Sequence, residues 1–238
     1  MSGPAPSPLP PVILVHGFAS SFEHNWVRTG WADTLGSRGH QVIGMDLPGH
    51  GGNDQAGGAA HAVRQLTELA GQHESVDLVG FSAGARVCAI AVAGGLPGVR
   101  RLVLAGLGDS LLHGDRLLDG DGPAGAQAAE PPLSLTGPLD PADVRSGLFR
   151  RMAASAGNDP ARLAEYLAGP AGHLTPAVLA QISCPALVII GEGDPLGPAT
   201  RVMASLPDGQ LLVLPRTDHF ATPGHVEAIL AAVRFLAA

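Results

Sequence analysis

The stretch of residues 76–87 constrains the fold of this chain more than any other part of the sequence. It begins as an apolar strand, passes through a G-x-S-x-G turn and continues as an apolar helix. Such a turn places Ser82 on a sharp corner between strand and helix. At Gly80 and Gly84, which flank it, we expect a Cβ atom to collide with nearby backbone. In a chain with 33 glycines, the G-x-S-x-G pattern alone is only moderately specific. The strands, helices and polar residues around it must decide whether Ser82 has a functional role.

Continuous apolar runs predict further strands on either side of this stretch. They cover residues 11–15, 41–47, 100–106, 186–191 and 210–214. A strand that is apolar along its whole length is covered on both faces, as in a parallel sheet with helices on either side. Helical spacing is found at residues 23–38, 61–72 and 226–236. We therefore expect an α/β fold with an open, mostly parallel, doubly wound sheet of about six strands.

The alternation of strand and helix fails once, between residues 109 and 182. Residues 119–123 read Asp-Gly-Asp-Gly-Pro and exclude one long helix, whereas residues 143–156 and 160–168 have helical spacing. Structureless loops of this length are rare in compact domains. We interpret residues 109–182 as a helical lid inserted into a single domain that spans residues 1–238.

Composition argues against several classes of function. The formal charge is -7 and no basic run occurs, so neither nucleic acid nor an anionic membrane is an expected partner. Residues 1–11 lack the features of a secretory signal, and the longest apolar run, residues 87–99, is too short to span a bilayer. We interpret the two cysteines, Cys88 and Cys184, as free packing thiols. The expectation is a cytoplasmic monomer or homodimer without metal or cofactor.

A serine at such a corner becomes a nucleophile only beside a base, and the base needs an orienting carboxylate. His219 follows the last predicted strand and Asp194 follows the preceding one, so both should lie at the carboxyl edge of the sheet, where ligands bind. The competing carboxylates and the competing histidine are Glu192, Asp109, Asp218 and His225.

Three further polar residues are more easily explained by structural roles. His16 and His50 belong to turns and are expected to make structural hydrogen bonds. Arg86 stands one helical turn after Ser82 and faces the same side of the helix. A salt bridge that steadies the helix explains it better than recognition of an anion, which stays the alternative.

Five short motifs, taken together, resemble the α/β-hydrolase fold over nearly the whole chain. They are His-Gly-Phe at 16–18, Asp-Leu-Pro-Gly-His-Gly at 46–51, Gly-Phe-Ser-Ala-Gly at 80–84, Gly-Glu-Gly-Asp at 191–194 and Asp-His-Phe at 218–220. The resemblance supports Ser82, Asp194 and His219 as a catalytic triad. It also implies that the backbone N–H groups of Phe18 and Ala83 form an oxyanion hole. The two antiparallel strands that begin larger members of the family are expected to be missing.

The resemblance implies a serine hydrolase, and we expect a carboxylesterase. Its partner would be a small-molecule ester with a small to medium apolar acyl group, cleaved through an acyl-enzyme. The side chains expected to contact the substrate are Phe81, Leu111, Leu148, Phe149, Met152 and Phe220. A lyase, a thioesterase or a C–C bond hydrolase with the same triad stays open. So does a ligand-binding protein without catalysis.

Overall fold

Six parallel strands form the centre of the computed structural model, which describes residues 9–112, 132–170 and 172–238. The strands are β1 (Val12–Val15), β2 (Val42–Met45), β3 (Val76–Phe81), β4 (Val99–Ala105), β5 (Ala186–Gly191) and β6 (Gly209–Leu214). They lie in the order β2-β1-β3-β4-β5-β6, and every neighbouring pair is parallel. The predicted fold class is confirmed.

Helices cover both faces of this sheet. They are α1 (Trp31–Ser37), α2 (Ala59–Ala70), α3 (Ala83–Ala93), α4 (Val144–Ser155), α5 (Pro160–Ala168), α6 (Pro176–Leu179), α7 (Thr200–Ser205) and α8 (Val226–Ala237). Side chains of β1 alternate between two buried clusters, with Ile13 in one and Leu14 in the other. Residues of α2 and α3 belong to the first cluster, and residues of α1 and α8 to the second. The continuous apolarity of the strands is therefore explained by burial on two sides.

The helix predicted over residues 23–38 is wrong as a single element. The structure has a five-residue π-helix, Glu23–Val27, and then α1, separated by Gly30 at φ 87°. On one α-helix, Trp26 and Trp31 would point about 140° apart. The break lets both indoles pack edge to face at 5.1 Å, and both side chains are fully buried in the second cluster.

The segment predicted as a lid, residues 109–182, lies between β4 and β5 and contains α4, α5 and α6. The helices predicted at residues 143–156 and 160–168 are found as α4 and α5, whereas α6 and α7 were not predicted. The turn-rich stretch at residues 119–123 lies outside the described residues.

Both cysteines are free and buried. Burial raises the pKa of the Cys88 thiol well above its ordinary value and that of Cys184 to about 11. Both properties agree with the interpretation of these residues as packing thiols. Among the described residues, no helix combines the length and the apolar character that a membrane span requires.

One charged pair lies inside the sheet. Arg100 on β4 donates to the Asp77 carboxylate on β3 at 2.6 Å and also to the Leu236 carbonyl. The Asp77 side chain is fully buried. Burial raises the pKa of this carboxyl group, and the charge of Arg100 opposes the rise. The arginine therefore stabilises the ionised form of Asp77 in the protein interior.

Replacing Arg100 by methionine should lower the free energy of unfolding by about 3 kcal/mol at neutral pH. Without the cation the folded-state pKa of Asp77 rises further above its unfolded value. The loss should therefore shrink as the pH falls through the folded-state pKa values of Asp77, below which the carboxyl group is protonated in the folded wild type and in the folded variant alike. Urea denaturation at several pH values measures this. Arg28→Met, which breaks an exposed pair with Glu23, should change the stability by less than about 0.5 kcal/mol. An equal loss for Arg100→Met at all pH values would contradict the charge argument.

Candidate active site

The candidate site lies where the strand order of the sheet reverses. The chain passes from β1 to β2 on one side and then returns to place β3 on the other side of β1. Open parallel sheets bind ligands in the crevice that this reversal leaves at the carboxyl ends of the strands. The loop after β1 carries Phe18, and the corner after β3 carries Ser82.

Ser82 stands at this corner in a strained backbone conformation, with φ 53° and ψ -113°. It is the N-cap of α3 and is half-buried. A Cβ on Gly80 would lie 2.5 Å from the Gly84 carbonyl oxygen, and one on Gly84 would lie 2.2 Å from the Val15 carbonyl oxygen. Val15 ends β1, whereas Ser82 directly follows β3. The corner that carries Ser82 is therefore packed against both strands.

Ser82, His219 and Asp194 form one hydrogen-bonded chain. His219 Nδ1 lies 2.8 Å from Asp194 Oδ2, and His219 Nε2 lies 2.9 Å from Ser82 Oγ. A carboxylate can only accept, so Nδ1 carries the proton and donates it to Asp194. Nε2 is then the acceptor for the Ser82 hydroxyl. Asp194 and His219 are 6% and 8% exposed, which shields this chain from water.

The loops after β5 and β6 hold the carboxylate and the imidazole together. A Cβ on Gly191 would lie 2.2 Å from the Thr217 carbonyl oxygen, which accepts a hydrogen bond from the Gly193 N–H at 2.9 Å. Asp194 Oδ1 accepts from the Leu196 N–H at 2.9 Å. The loop after β5 is thus locked to the loop after β6, which carries His219.

The competing residues have other partners. The Glu192 carboxylate accepts from the Arg216 N–H, and Asp218 accepts from the Ala221 N–H within its own turn. Asp109 Oδ1 accepts from the Arg201 and Val202 N–H groups in the first turn of α7, at 2.8 and 2.9 Å. His225 is the N-cap of α8. The structure brings none of them into the hydrogen-bonded chain of Ser82.

One of the two amides expected to bind an oxyanion follows Ser82 in the chain, and the other follows Gly17, where a Cβ would stand 3.4 Å from the Ser82 Cβ. Ala83 begins α3, whose N-terminus carries a partial positive charge, and Phe18 lies in the loop after β1, against which α3 packs. Within the described residues, neither N–H donates to an acceptor of the chain. Both N–H groups are therefore available to a ligand oxygen. For Ala83 this is the usual situation of an N–H group at the start of a helix.

His50 is a structural hydrogen-bonder, as predicted. Its Nδ1 donates to the Pro48 carbonyl at 2.8 Å, and its Nε2 accepts from the Ala19 N–H at 3.1 Å. Burial, with a contribution from neighbouring His16, lowers the pKa of His50 to about 3. It is therefore neutral, with a fixed tautomer. His16 Nε2 likewise accepts from the Leu47 N–H at 3.0 Å.

Aromatic rings form a continuous arc from His219 to Phe18. The imidazole contacts the Phe220 ring at 5.4 Å, Phe220 contacts Phe149 at 6.2 Å, and Phe149 contacts Phe18 at 5.6 Å. Phe149 comes from α4 of the 109–182 segment and closes the arc. Tyr166 on α5 stacks on Phe18 at 5.9 Å. It was not predicted, although it is the chain's single tyrosine and lies in a predicted helix.

The other four predicted substrate-contacting residues are not members of this arc. Phe81 is 5% exposed and packs against the His219 ring at 4.9 Å, which makes it a support for the imidazole. Leu111 is buried in the first core cluster, and Met152 packs on that cluster. Leu148 is half-buried on α4. Of the six residues, Phe149 and Phe220 form the arc.

Arg86 does not face the site as an exposed cation. It is 4% exposed, and its guanidinium donates to the Gly172 carbonyl in the 109–182 segment. Its described partner is thus a carbonyl, and it joins α3 to that segment.

The described part of the chain contains no cluster of histidine, cysteine or acidic side chains arranged to hold a metal ion. A groove of about 510 Å³ lies between β2 and α2, lined by polar residues such as Asp46, Asn53 and Glu68. Ser82, His219 and Asp194 are not among its lining residues.

A model of the alpha/beta hydrolase family matches residues 12–232. No curated protein sequence matches significantly. A hydrolase from Pseudomonas aeruginosa PA01 superposes with a TM-score of 0.69 at 22% identity, covering 98% of this chain and 91% of that one.

Two further structures are similar over nearly their whole length. One belongs to the carboxylesterases of the thaumarchaeon Nitrososphaera gargenis, with a TM-score of 0.70, 16% identity, and coverage of 98% of this chain and 96% of that one. The other is a serine hydrolase involved in carbazole degradation, with a TM-score of 0.67, 21% identity, and coverage of 96% and 91%. At such identities the similarity shows a shared fold.

The contact between Gly84 and β1 can be tested by adding one methyl group. Gly84→Ala should lower the free energy of unfolding by about 3 kcal/mol or more, because the new Cβ meets the backbone of a central strand that cannot move aside. Gly36→Ala is the matched control, since Gly36 lies in α1 with nothing within 4 Å of its Cβ position. It should gain about 0.5–1 kcal/mol from the lower entropy of its unfolded chain. Urea denaturation of both variants measures this, and a Gly84→Ala protein as stable as the wild type would contradict the close approach.

Proposed function

Because the chain belongs to the alpha/beta hydrolase family, we propose that it is a serine hydrolase, and specifically a carboxylesterase that acts on a small-molecule ester. The observation that carries this proposal is the hydrogen-bonded chain of Ser82, His219 and Asp194 beside two available backbone N–H groups. A nucleophile, a base, an orienting carboxylate and an oxyanion site are the parts that acyl transfer needs.

In the proposed acylation step, Ser82 Oγ attacks the ester carbonyl carbon while His219 Nε2 takes the hydroxyl proton. The carbonyl oxygen becomes negatively charged and is stabilised by the N–H groups of Phe18 and Ala83, helped by the N-terminus of α3. Asp194 holds the imidazole through Nδ1 and stabilises the imidazolium that forms. When the tetrahedral intermediate collapses, His219 protonates the leaving alcohol.

Deacylation uses the same groups with water in place of the alcohol. His219 Nε2 takes a proton from water as its oxygen attacks the acyl carbon, and returns the proton to Ser82 Oγ as the acid is released. The strained backbone of Ser82 keeps the hydroxyl in one position through both steps.

The aromatic arc supports an apolar acyl group of small to medium size. Phe220 is 42% exposed, so it can contact a ligand at the mouth of the site. Phe149 lies between Phe220 and Phe18 and limits the space above the serine. Apolar rings with few polar groups favour an acyl chain over a charged substrate.

A lyase with the same triad that acts on an anionic intermediate would use Arg86 to bind the anion. The burial of Arg86 and its bond to the Gly172 carbonyl disfavour that role. Substrates with a thioester or a cleavable C–C bond differ from an ester mainly in the leaving group. Both substrate classes should therefore be assayed beside the esters.

The nucleophile and the base can be tested together. A fluorophosphonate probe should label the wild type and fail to label Ser82→Ala. His219→Ala should reduce the turnover of p-nitrophenyl esters on the order of a thousandfold, because the three residues act as a unit. His225→Ala removes a histidine that only caps α8 and should keep wild-type turnover. Equal labelling of Ser82→Ala, or equal losses in the two histidine variants, would contradict the assignment.

The role of Phe149 can be tested by shortening it. Phe149→Ala should raise the ratio of kcat/KM for a p-nitrophenyl octanoate over the acetate by roughly tenfold, because the open arc admits a longer acyl chain. Val144→Ala, at a 72% exposed position of the same helix, is the control and should leave this ratio unchanged. Equal changes in both variants would mean that α4 affects the site only through general packing.

A further inference from the structure

The loop after β1, which carries Phe18, is held by three side chains from two other parts of the fold, the π-helix and the loop after β2. Asn25 Oδ1 in the π-helix accepts from the Gly17 N–H at 2.8 Å. His50 Nε2 accepts from the Ala19 N–H at 3.1 Å, and Asp46 Oδ1 accepts from the Phe22 N–H at 2.7 Å. The N–H of Phe18 lies between two bonded amides and is left available for a ligand.

A fourth contact reaches this loop from the 109–182 segment. Asn158 Nδ2 donates to the Ser20 carbonyl at 2.8 Å, and its Oδ1 accepts from the Gly51 N–H at 2.8 Å. Asn158 is 7% exposed. One buried amide thus joins three segments: the loop after β1, the loop after β2 and the connection between α4 and α5.

The backbone of Asn158 is fixed at the end of α4. Gly157 is left-handed at φ 71°, and the Asn158 N–H bonds the Ala153 carbonyl at 2.8 Å, in the pattern that commonly ends a helix. The next residue, Asp159, caps α5 through a bond from the Ala161 N–H at 2.9 Å. A helix end and a helix start on either side leave the backbone of Asn158 little freedom.

The chemistry of the contact requires an amide. Ser20 offers a carbonyl that can only accept, and Gly51 offers an N–H that can only donate. An aspartate could serve Gly51 but not Ser20, and a leucine of similar size could serve neither. Ala19, next to Ser20, has φ 60°, a conformation that a non-glycine residue keeps only when its surroundings hold it.

We propose that Asn158 is a positioning residue that holds the loop after β1 in the conformation that aims the Phe18 N–H at the developing oxyanion. The proposal rests on the proposed serine-hydrolase function and extends it. It makes the segment between β4 and β5 part of the oxyanion site as well as a cover over the serine. Without the bond from Asn158, the Ser20 carbonyl loses its buried partner, and Ala19 can relax to a common conformation and turn the neighbouring amide.

The test measures kcat per active site, with active sites counted by complete fluorophosphonate labelling. Asn158→Leu should lower kcat roughly tenfold and change KM by less than about twofold, because transition-state binding is lost and ground-state binding is kept. Asn158→Asp keeps the bond from Gly51 and loses only the one to Ser20. At neutral pH its kcat should fall similarly. Its kcat relative to the wild type should recover as the pH is lowered, since a protonated carboxyl can donate again.

Asp159→Ala is the matched control at the adjacent position. It removes the cap of α5, does not touch the loop after β1, and should keep wild-type kcat per active site. Folded Asn158 variants with unchanged kcat would overturn the proposal, and so would the absence of folded protein for both variants, which would assign Asn158 to stability alone. Ser82→Ala is assayed in parallel. Ester turnover that does not depend on Ser82 contradicts the proposed function itself, whereas Ser82-dependent turnover that is insensitive to Asn158 contradicts only the positioning role.

Discussion

The close approach of α3 to the end of β1 is the constraint on which the candidate site depends. No side chain fits at Gly84, whose Cβ would stand 2.2 Å from the Val15 carbonyl oxygen. This contact places the first N–H of α3 beside the loop that carries Phe18, and it turns Ser82 outward in a strained conformation. The geometry around the serine is thus determined by backbone packing, which is more rigid than side-chain packing.

Much of the fold could be predicted because its signals are local. Buried strands are apolar along their whole length, and residues that follow parallel strands must meet at one edge. The sequence alone therefore pairs His219 and Asp194 with Ser82. The break at Gly30 could not be predicted, because a glycine inside a helical pattern is tolerated in many helices. What decides it is the burial of both Trp26 and Trp31.

The contacts missed from the sequence are those between distant segments. Asn158 meets Ser20 across 138 residues, and His50 meets Ala19 across 31. Neither pairing leaves a periodic pattern, since each depends on how loops fold over the sheet. Asn158 could be recognised only as the residue between a helix stop and a helix start, which says where its backbone lies and nothing about its partners. Motifs thus predict the reacting residues, whereas the contacts that hold those residues in place depend on the tertiary structure.

The candidate site consists of two halves with different supports. Asp194 and His219 lie on the loops after β5 and β6, which are locked through the Thr217 carbonyl. The loop of Phe18 depends instead on Asn158 and on the rings of the 109–182 segment. Sequence change in α4 and α5 can therefore alter which molecules enter and how the loop is held, while the imidazole and carboxylate keep their relative position. For laboratory evolution, this means that a library confined to α4 and α5 would vary specificity and leave the proton-transfer residues in place.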